Sequence, residues 1–259
     1  TELNVHTIIP LSTTNTVVIP SASKIKRLQQ LAITACEQSG RTIVPIITAP
    51  KTIEDLLEHR TDWLNHLQFS PADPTLLMYC HEGSWQLVDR IWTIRTDGTQ
   101  NQLVHKRIME MEIAGHEWWG ADGKTIFYQL HFPRGGRVSF IASYNVATAE
   151  RTWLQYNADQ SSIHDNSSPD AKLFCGDGDN NSPWIFLFRP VPVPSRGTVG
   201  ENLIKGGYLE SEKLVNMSKH NYRLEPNPTF SPDLKYIIFR SNMLGPDYVF
   251  AVEIAKAAP

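Results

Sequence analysis

The chain has 259 residues, of which 41% are hydrophobic and 20% charged, with a formal net charge of −3. This composition predicts a packed core, excludes wholesale disorder and provides no bulk positive charge for nucleic acid. The three cysteines are scattered, which argues against a disulfide framework or a zinc–thiolate site. No apolar run could span a bilayer and the first residues do not resemble a signal peptide, so we expect a cytoplasmic protein without membrane contact.

Residues 1–59 predict a short α/β segment. β-like runs at 4–10 and 16–19 precede a helix from Ser21 to Gly40, with Ser21 or Ser23 as its N-cap. The apolar side chains on one face of this helix are Ile25, Leu28, Leu31, Ala32, Ala35 and Cys36. A buried strand is predicted from Thr42 to Ile47 and a second short helix from Thr52 to His59.

Residues 60–259 have a different pattern, in which strand-like runs of a few residues alternate with turn signals. The clearest runs are LLMYC (76–80), RIWTI (90–94), TIFYQL (125–130), VSFIASYNV (138–146), WIFLF (184–188), YIIFR (236–240) and YVFAVEI (248–254). Short strands with frequent turns are typical of a sandwich, a barrel or a propeller.

A weak internal repeat favours the propeller. Four phrases that place a small residue and a turn before a hydrophobic strand begin at Phe69, Trp119, Ser167 and Phe230. The intervals are about 50 residues, with a longer last one, and repeats of this length with several strands each are typical of propeller blades. The sequence therefore predicts a mainly β fold with about four blades.

Four motifs in this region resemble the oligogalacturonate lyase family. They are HEGSWQLVDRIW (81–92), AGHEWW (114–119), SIHDN (162–166) and LVNMSKHNYRLEPNPTFSPD (214–233). The resemblance runs from Trp63 to about Ala255 and implies part of a seven-bladed propeller that cleaves pectin-derived oligogalacturonides by β-elimination. It also implies that the first blades of the family fold are missing here, and open blades could self-associate through their unpaired faces.

The resemblance assigns roles to individual residues. His116 matches the general base and Arg90 the arginine at the reaction centre. The spacing alone favours a structural histidine at His116 and is equally compatible with an Asp89–Arg90 surface pair. His164 matches a ligand of Mn²⁺. Glu225 and Asn227 fall where better-known members carry two metal-binding histidines, and their oxygens suit Mn²⁺, Mg²⁺ or Ca²⁺.

Four further candidates come from the resemblance and from position in the sequence. Tyr222 falls on a metal-binding glutamine of the family, and His220 nearby is a spare candidate ligand. His81 at a strand end and Arg134 in the FPRGG loop are candidate substrate contacts. The GDGDNN run (176–181) is interpreted as a turn, since it lacks the spacing of a calcium loop.

The first part of the chain resembles a second family. TELNVHTIIPL and LQQLAITACEQSGRTIVPII, within residues 1–57, resemble the enzymes that methylate a uridine N3 of small-subunit ribosomal RNA. The glycine-rich strands that bind the cofactor lie downstream in that family and are absent here, so the resemblance implies ancestry or fusion. Three hypotheses result: an oligogalacturonate lyase, a non-catalytic propeller that binds saccharide or a partner, and an RNA methyltransferase.

Overall fold

The computed structural model divides into two compact units, Thr1–Trp63 and Leu64–Pro259. The described residues are 7–12, 16, 19–39, 44–52, 63–84, 87–194 and 204–255. The first unit contains the only helix of the described ranges, and the second is built from strands, which confirms the mainly β fold.

The first unit is a small α/β arrangement. Its elements are β1 (Thr7–Ile8), β2 (Leu11–Ser12), α1 (Ala22–Ser39), β3 (Ile46–Ile47) and β4 (Lys51–Thr52). β1 pairs in parallel with β3, and β2 pairs in parallel with β4. Parallel strands need a long crossover, which α1 supplies.

Helix α1 begins as predicted. The Ser21 hydroxyl accepts a hydrogen bond from the Lys24 N–H at 3.4 Å, so Ser21 is the N-cap. The predicted apolar face is only partly correct, because Cys36 is buried but Leu31 and Ala35 are exposed. Within the described residues, no helix is both long and apolar enough to cross a membrane.

The prediction of a buried strand over 42–47 is wrong for the part that is described. Only Ile46 and Ile47 form a strand there, and Ile46 is 62% exposed. The β-branched residues favour extended backbone, but no described element covers the Ile46 side chain. Gly40 and residues 53–60, which include most of the second predicted helix, lie outside the described residues.

The second unit consists of antiparallel blades. The first contains β5 (Trp63–Phe69), β6 (Leu76–Glu82), β7 (Ile91–Arg95) and β8 (Gln102–Leu103), and the second contains β9 (Ile113–Trp119), β10 (Thr125–His131), β11 (Ser139–Asn145) and β12 (Arg151–Gln155). The third contains β13 (Asp165–Ser167), β14 (Phe174–Gly176), β15 (Trp184–Pro192) and β16 (Ile204–Asn216), and the fourth contains β17 (Thr229–Phe230), β18 (Tyr236–Ser241) and β19 (Tyr248–Glu253). The predicted four blades are therefore present.

One long strand joins two blades. β16 has 13 residues, and its first part pairs in parallel with β12 while its remainder pairs antiparallel with β15. The second and third blades therefore form one eight-stranded sheet. Apolar side chains such as Tyr128, Phe174 and Phe186 are fully buried between these strands and supply the core.

The same turn closes the first strand of each blade. The N–H groups of Ser70, Gly120, Ser168 and Ser231 each donate to the carbonyl of a residue in or next to the following strand. The Ser70 hydroxyl also donates to the Gly123 carbonyl at 2.7 Å, which ties the turn of the first blade to the turn of the second.

Gly123 fits this contact only because it has no side chain. Its φ is +60°, and a Cβ would lie 2.4 Å from the Ala72 Cβ. Gly123→Ala is expected to lower the free energy of unfolding by about 2–4 kcal/mol, from left-handed backbone strain plus overpacking. Gly98→Ala is the control for backbone strain alone, since Gly98 has φ +83° with no atom within 4 Å. Equal losses for the two variants in urea unfolding would contradict the packing argument.

Candidate functional site

The blade repeat places a polar residue at an equivalent position in every blade. The turn that closes the first strand begins at Ser70, Gly120, Ser168 and Ser231 in the four blades. Four residues before each of these lie His66, His116, His164 and Asn227, in chain order. His66, His116 and Asn227 all have a positive φ, between 46° and 50°. His and Asn tolerate this left-handed conformation better than most residues, which explains why such types recur here.

A cleft of about 580 Å³ opens beside the second of these positions. It is lined by cationic and titratable side chains of the first and second blades, namely Arg90, His116, His131, Arg134 and Arg137. Asp159 and Asp179 from the third blade also line it. Such a cleft suits an anionic ligand that also carries hydroxyl groups, because arginine binds carboxylates and aspartate accepts from hydroxyls.

A β-bulge positions His116. Phe127 pairs with Trp118 and Gln129 pairs with Gly115, so His116 and Glu117 together lie opposite the single residue Tyr128. Bulges redirect side chains and recur next to active sites. Nδ1 of His116 lies 3.1 Å from Oε1 of Gln129. Desolvation lowers the pKa of His116, and this effect outweighs the hydrogen bond to Gln129, which raises it. The ring is therefore neutral near pH 7.

Arg90 faces the cleft from beneath Gly115. Its side chain is 7% exposed, and its two terminal nitrogens donate to the Glu82 carboxylate at 2.7 and 2.8 Å. Its Nε is buried and meets no hydrogen-bond partner among the described residues. A Cβ on Gly115 would lie 3.4 Å from this Nε, so the missing side chain lets the guanidinium pack closely against the strand. Arg90 pairs with Glu82, and Asp89 pairs with Arg107 instead.

Arg134 lies in the same cleft, in the loop between β10 and β11. Burial and the nearby positive charge of Arg90 both lower the pKa of Arg134. Burial also lowers the pKa of His131 to about 4, and His116 and Arg134 add to this effect. The positive charge of the cleft therefore comes from its arginines, and a bound carboxylate would relieve the repulsion between Arg90 and Arg134.

His164 and His116 are neighbours, with ring centroids 4.8 Å apart. Nδ1 of His164 is held by Oδ2 of Asp177 at 2.7 Å, and its Nε2 lies 3.8 Å from Oε1 of Glu225. Two atoms that bind one ion at about 2.1–2.5 Å can lie at most about 4–5 Å apart, so this pair could share a cation. A histidine held by a carboxylate through its other nitrogen is the usual arrangement of a metal ligand.

The donor set of this corner fits a hard divalent ion. His164 offers a nitrogen and Glu225 offers carboxylate oxygens, and the exposed Asn227 occupies the equivalent position of the next blade. The Tyr222 hydroxyl instead donates to the Asp177 carbonyl at 2.9 Å. Both ring nitrogens of His220 are occupied, by the Ser241 hydroxyl and the Leu224 carbonyl, so we leave it out of the ligand set.

A second cluster has metal-ligand residue types but a less suitable environment. Ligand atoms of His66, Cys80 and Glu82 lie within 4.8 Å of one another. Both oxygens of Glu82 are bonded to Arg90, and burial raises the pKa of Cys80 well above its usual value. A cation here would displace or face a guanidinium, so the corner at His164 is the better metal site.

The structure brings some predicted site residues together and separates others. His116, Arg90 and Arg134 line one cleft, and His164 adjoins it through His116. His81 is not among the residues that line the cleft. Sequence reasoning missed Gln129, Asp177 and Glu82, which orient the predicted residues. The GDGDNN run begins with Gly176 at the end of β14, and Asp179 then forms a turn with Ser182. Its Asp177 is buried and holds His164.

Asp177→Asn is expected to weaken Mn²⁺ binding by about 10–100-fold. Oδ1 of Asp177 accepts from the N–H groups of Ile163 and His164, so the Asn oxygen would stay there and its NH₂ would face the His164 Nδ1. The ring would then carry its proton on Nε2, where it blocks the ion. Titration of Mn²⁺ followed by electron paramagnetic resonance measures the change. Asp170→Asn, in an exposed turn of the same blade, should leave the affinity unaltered; an equal Kd for the Asp177 variant would contradict this role.

Comparison with known proteins assigns this sequence to a family. The sequence profile described as oligogalacturonate lyase matches residues 40–185, more than half of the chain. The chain belongs to the oligogalacturonate lyase family. The match begins ahead of Trp63 and overlaps the segment that resembles the methyltransferase family, a resemblance that stays a prediction.

Characterised relatives and solved structures agree with this assignment. The chain is 28% identical over 207 residues to the oligogalacturonate lyase of Dickeya dadantii and 27% identical to the oligogalacturonide lyase of Pectobacterium atrosepticum, covering 74% of this chain in each case. It spans about half the length of these curated relatives, 50% of each.

Two solved structures are similar over three quarters of this chain. An oligogalacturonate lyase in complex with manganese has a TM-score of 0.60 at 27% identity, covering 75% of this chain and 49% of that one. The oligogalacturonate lyase of Vibrio parahaemolyticus has a TM-score of 0.59 at 26% identity, covering 75% and 50%. The fold of the second unit is thus the fold of part of this family.

Proposed function

We propose that the protein cleaves short oligogalacturonides by β-elimination. The observation that carries the proposal is the cleft that the imidazole of His116 and the guanidinium of Arg90 both line. One group can accept a proton and the other can bind the carboxylate next to that proton. Elimination from a uronate needs these two functions at one carbon centre.

The reaction would proceed in two stages, proton abstraction followed by loss of the oxygen at C4. His116 takes the proton from C5 of a galacturonate unit, and the electron pair moves into the adjacent carboxylate to form an enolate-like intermediate. This pair then returns to form the C4–C5 double bond, the C4–O bond breaks, and the departing oxygen takes a proton from water. Arg90 stabilises the charge that grows on the carboxylate, and Arg134 binds the carboxylate of the adjoining unit.

A divalent cation is the proposed cofactor, with Mn²⁺ favoured because a family member was solved with manganese. His164, Glu225 and Asn227 would hold it. Bound there, it would add positive charge beside the reacting carboxylate. The chain's own contribution is Asp177, which orients the His164 ring and leaves Nε2 directed to Glu225.

The direct test is turnover of digalacturonate by the pure chain with Mn²⁺ added. We expect ultraviolet absorbance of the unsaturated uronate to rise in proportion to enzyme concentration. Chelation of the metal followed by its return provides the control, with activity expected to fall and recover. No absorbance change at high enzyme concentration would reject catalysis by this chain.

A second candidate is a propeller that binds saccharide without turnover. One observation favours it: Glu225 and Asn227 stand where the family resemblance expects two metal-binding histidines. It predicts that digalacturonate binds in calorimetry and is recovered intact. The cytoplasmic location, the absence of nucleic-acid binding and self-association through open blades stay predictions; size-exclusion chromatography tests the last.

A further inference from the structure

Gln129 lies beneath the proposed base in a set of directed hydrogen bonds. Its side chain belongs to β10 and is 2% exposed. Its Nε2 donates to the Ser162 carbonyl and, at 2.7 Å, to Oδ2 of Asp165. Its Oε1 faces Nδ1 of His116 at 3.1 Å. Two of the three polar neighbours, Ser162 and Asp165, therefore lie at the nitrogen end of the amide, and His116 lies at its oxygen end.

The partners determine which end is which. A backbone carbonyl can only accept a hydrogen bond, so the atom that faces Ser162 must be the NH₂ group. The amide oxygen consequently faces His116, and because that oxygen can only accept, Nδ1 of His116 must carry a proton. A neutral ring protonated at Nδ1 has its lone pair on Nε2.

The surroundings hold Gln129 in this orientation. Oδ2 of Asp165 also accepts from the Tyr156 hydroxyl at 2.6 Å, which fixes the carboxylate that Gln129 bonds. The bulge at His116 places Gln129 directly across from Gly115, so one irregularity of the β9–β10 pair positions both the ring and the amide. Nε2 of His116 meets no hydrogen-bond partner within the described part of the chain.

We propose that Gln129 is a positioning residue that holds His116 in its Nδ1-protonated form and thereby keeps the Nε2 lone pair available to the substrate. The kinetic consequence rests on the proposed elimination, but the protonation pattern itself does not. The same arrangement predicts that loss of the amide oxygen changes the tautomer while the cleft keeps its shape.

The test is ¹⁵N nuclear magnetic resonance of the metal-free full chain with labelled histidine, at a pH where the ring is neutral. We expect the His116 Nδ1 to show the shift of a protonated nitrogen and Nε2 that of an unprotonated one. In Gln129→Met, which keeps the volume but removes the acceptor, we expect the two shifts to exchange in part or fully. A wild-type spectrum with the proton on Nε2 would overturn the proposal by itself, even if the variant failed to fold.

Gln68→Met is the matched control. Gln68 donates to the Glu117 carbonyl at 3.1 Å, so it bonds the same strand without contacting the His116 ring. This control should leave the His116 tautomer unchanged. Equal spectra for wild type and Gln129→Met would contradict the role of Gln129.

Kinetics separate this inference from the proposed function. In an active chain, Gln129→Met should lower kcat roughly 100-fold with little change in KM, since the base is lost but binding is not. An inactive wild type with the expected tautomer would reject the lyase function and leave the positioning role standing. An active wild type whose kcat is unaffected by Gln129→Met would reject the positioning role and leave the lyase function standing.

Discussion

Replacing His116 with Asn is expected to lower kcat on digalacturonate by about 10²–10⁴-fold, the usual contribution of a general base. Asn tolerates the left-handed backbone that this position requires, with φ +50°, and already occupies the equivalent place in the fourth blade as Asn227. The fold should therefore persist while the proton acceptor is removed. Steady-state kinetics should show little change in KM, because Arg90 and Arg134 still bind the carboxylates.

His66→Asn is the matched control for this variant. His66 has the same substitution, the equivalent blade position and nearly the same φ, +49°, but it bonds Glu117 and is not among the residues that line the cleft. This variant should keep most of the wild-type turnover. Similar losses for both variants would mean that the substitution acts through the blade structure, and the assignment of His116 as the base would be withdrawn.

Replacing Arg90 with Lys is expected to lower kcat/KM on digalacturonate by about 10²–10³-fold. Lysine keeps a positive charge beside the Glu82 carboxylate, so it avoids a buried unpaired acid. It cannot reproduce the planar guanidinium, which bonds Glu82 with two nitrogens at the wall of the cleft. Thermal unfolding measured in parallel should show a much smaller effect than the kinetics.

Arg107→Lys provides the comparison. Arg107 pairs with Asp89 at 3.0 Å and is not among the residues that line the cleft. The same chemical change there should leave kcat/KM close to the wild-type value. Wild-type kinetics in Arg90→Lys would show that the guanidinium does not contact the reacting carboxylate, and would return Arg90 to a structural role with Glu82.

The strands with strong apolar runs were predictable, and others were not. The seven runs quoted from the sequence all correspond to strands, for example β10 and β18. β16 was missed because IKGGYLESEKLVN combines two glycines with charged residues, which local propensity does not favour. It forms because it pairs along its whole length with β12 and β15, a tertiary effect that no short window reveals.

The residues proposed to react with substrate or bind the metal were predictable from the sequence. The residues that orient them through hydrogen bonds were not. Motif resemblance pointed to His116, Arg90 and His164. Gln129 lies in an ordinary strand sequence and Asp177 in an ordinary turn, so neither has a signal at the level of one sequence. Their roles depend on contacts between residues 13 positions apart in both cases, which exist only after the strands within one blade pair.

Product analysis by mass spectrometry tests the central claim most directly. Elimination divides digalacturonate into two molecules whose masses add up to that of the substrate, whereas hydrolysis adds one water. For the wild-type chain with Mn²⁺, we predict an unsaturated monouronate and a saturated one with no added water, and at least about 100-fold less of both from His116→Asn in the same time. Intact substrate, or two saturated galacturonates, would contradict the account.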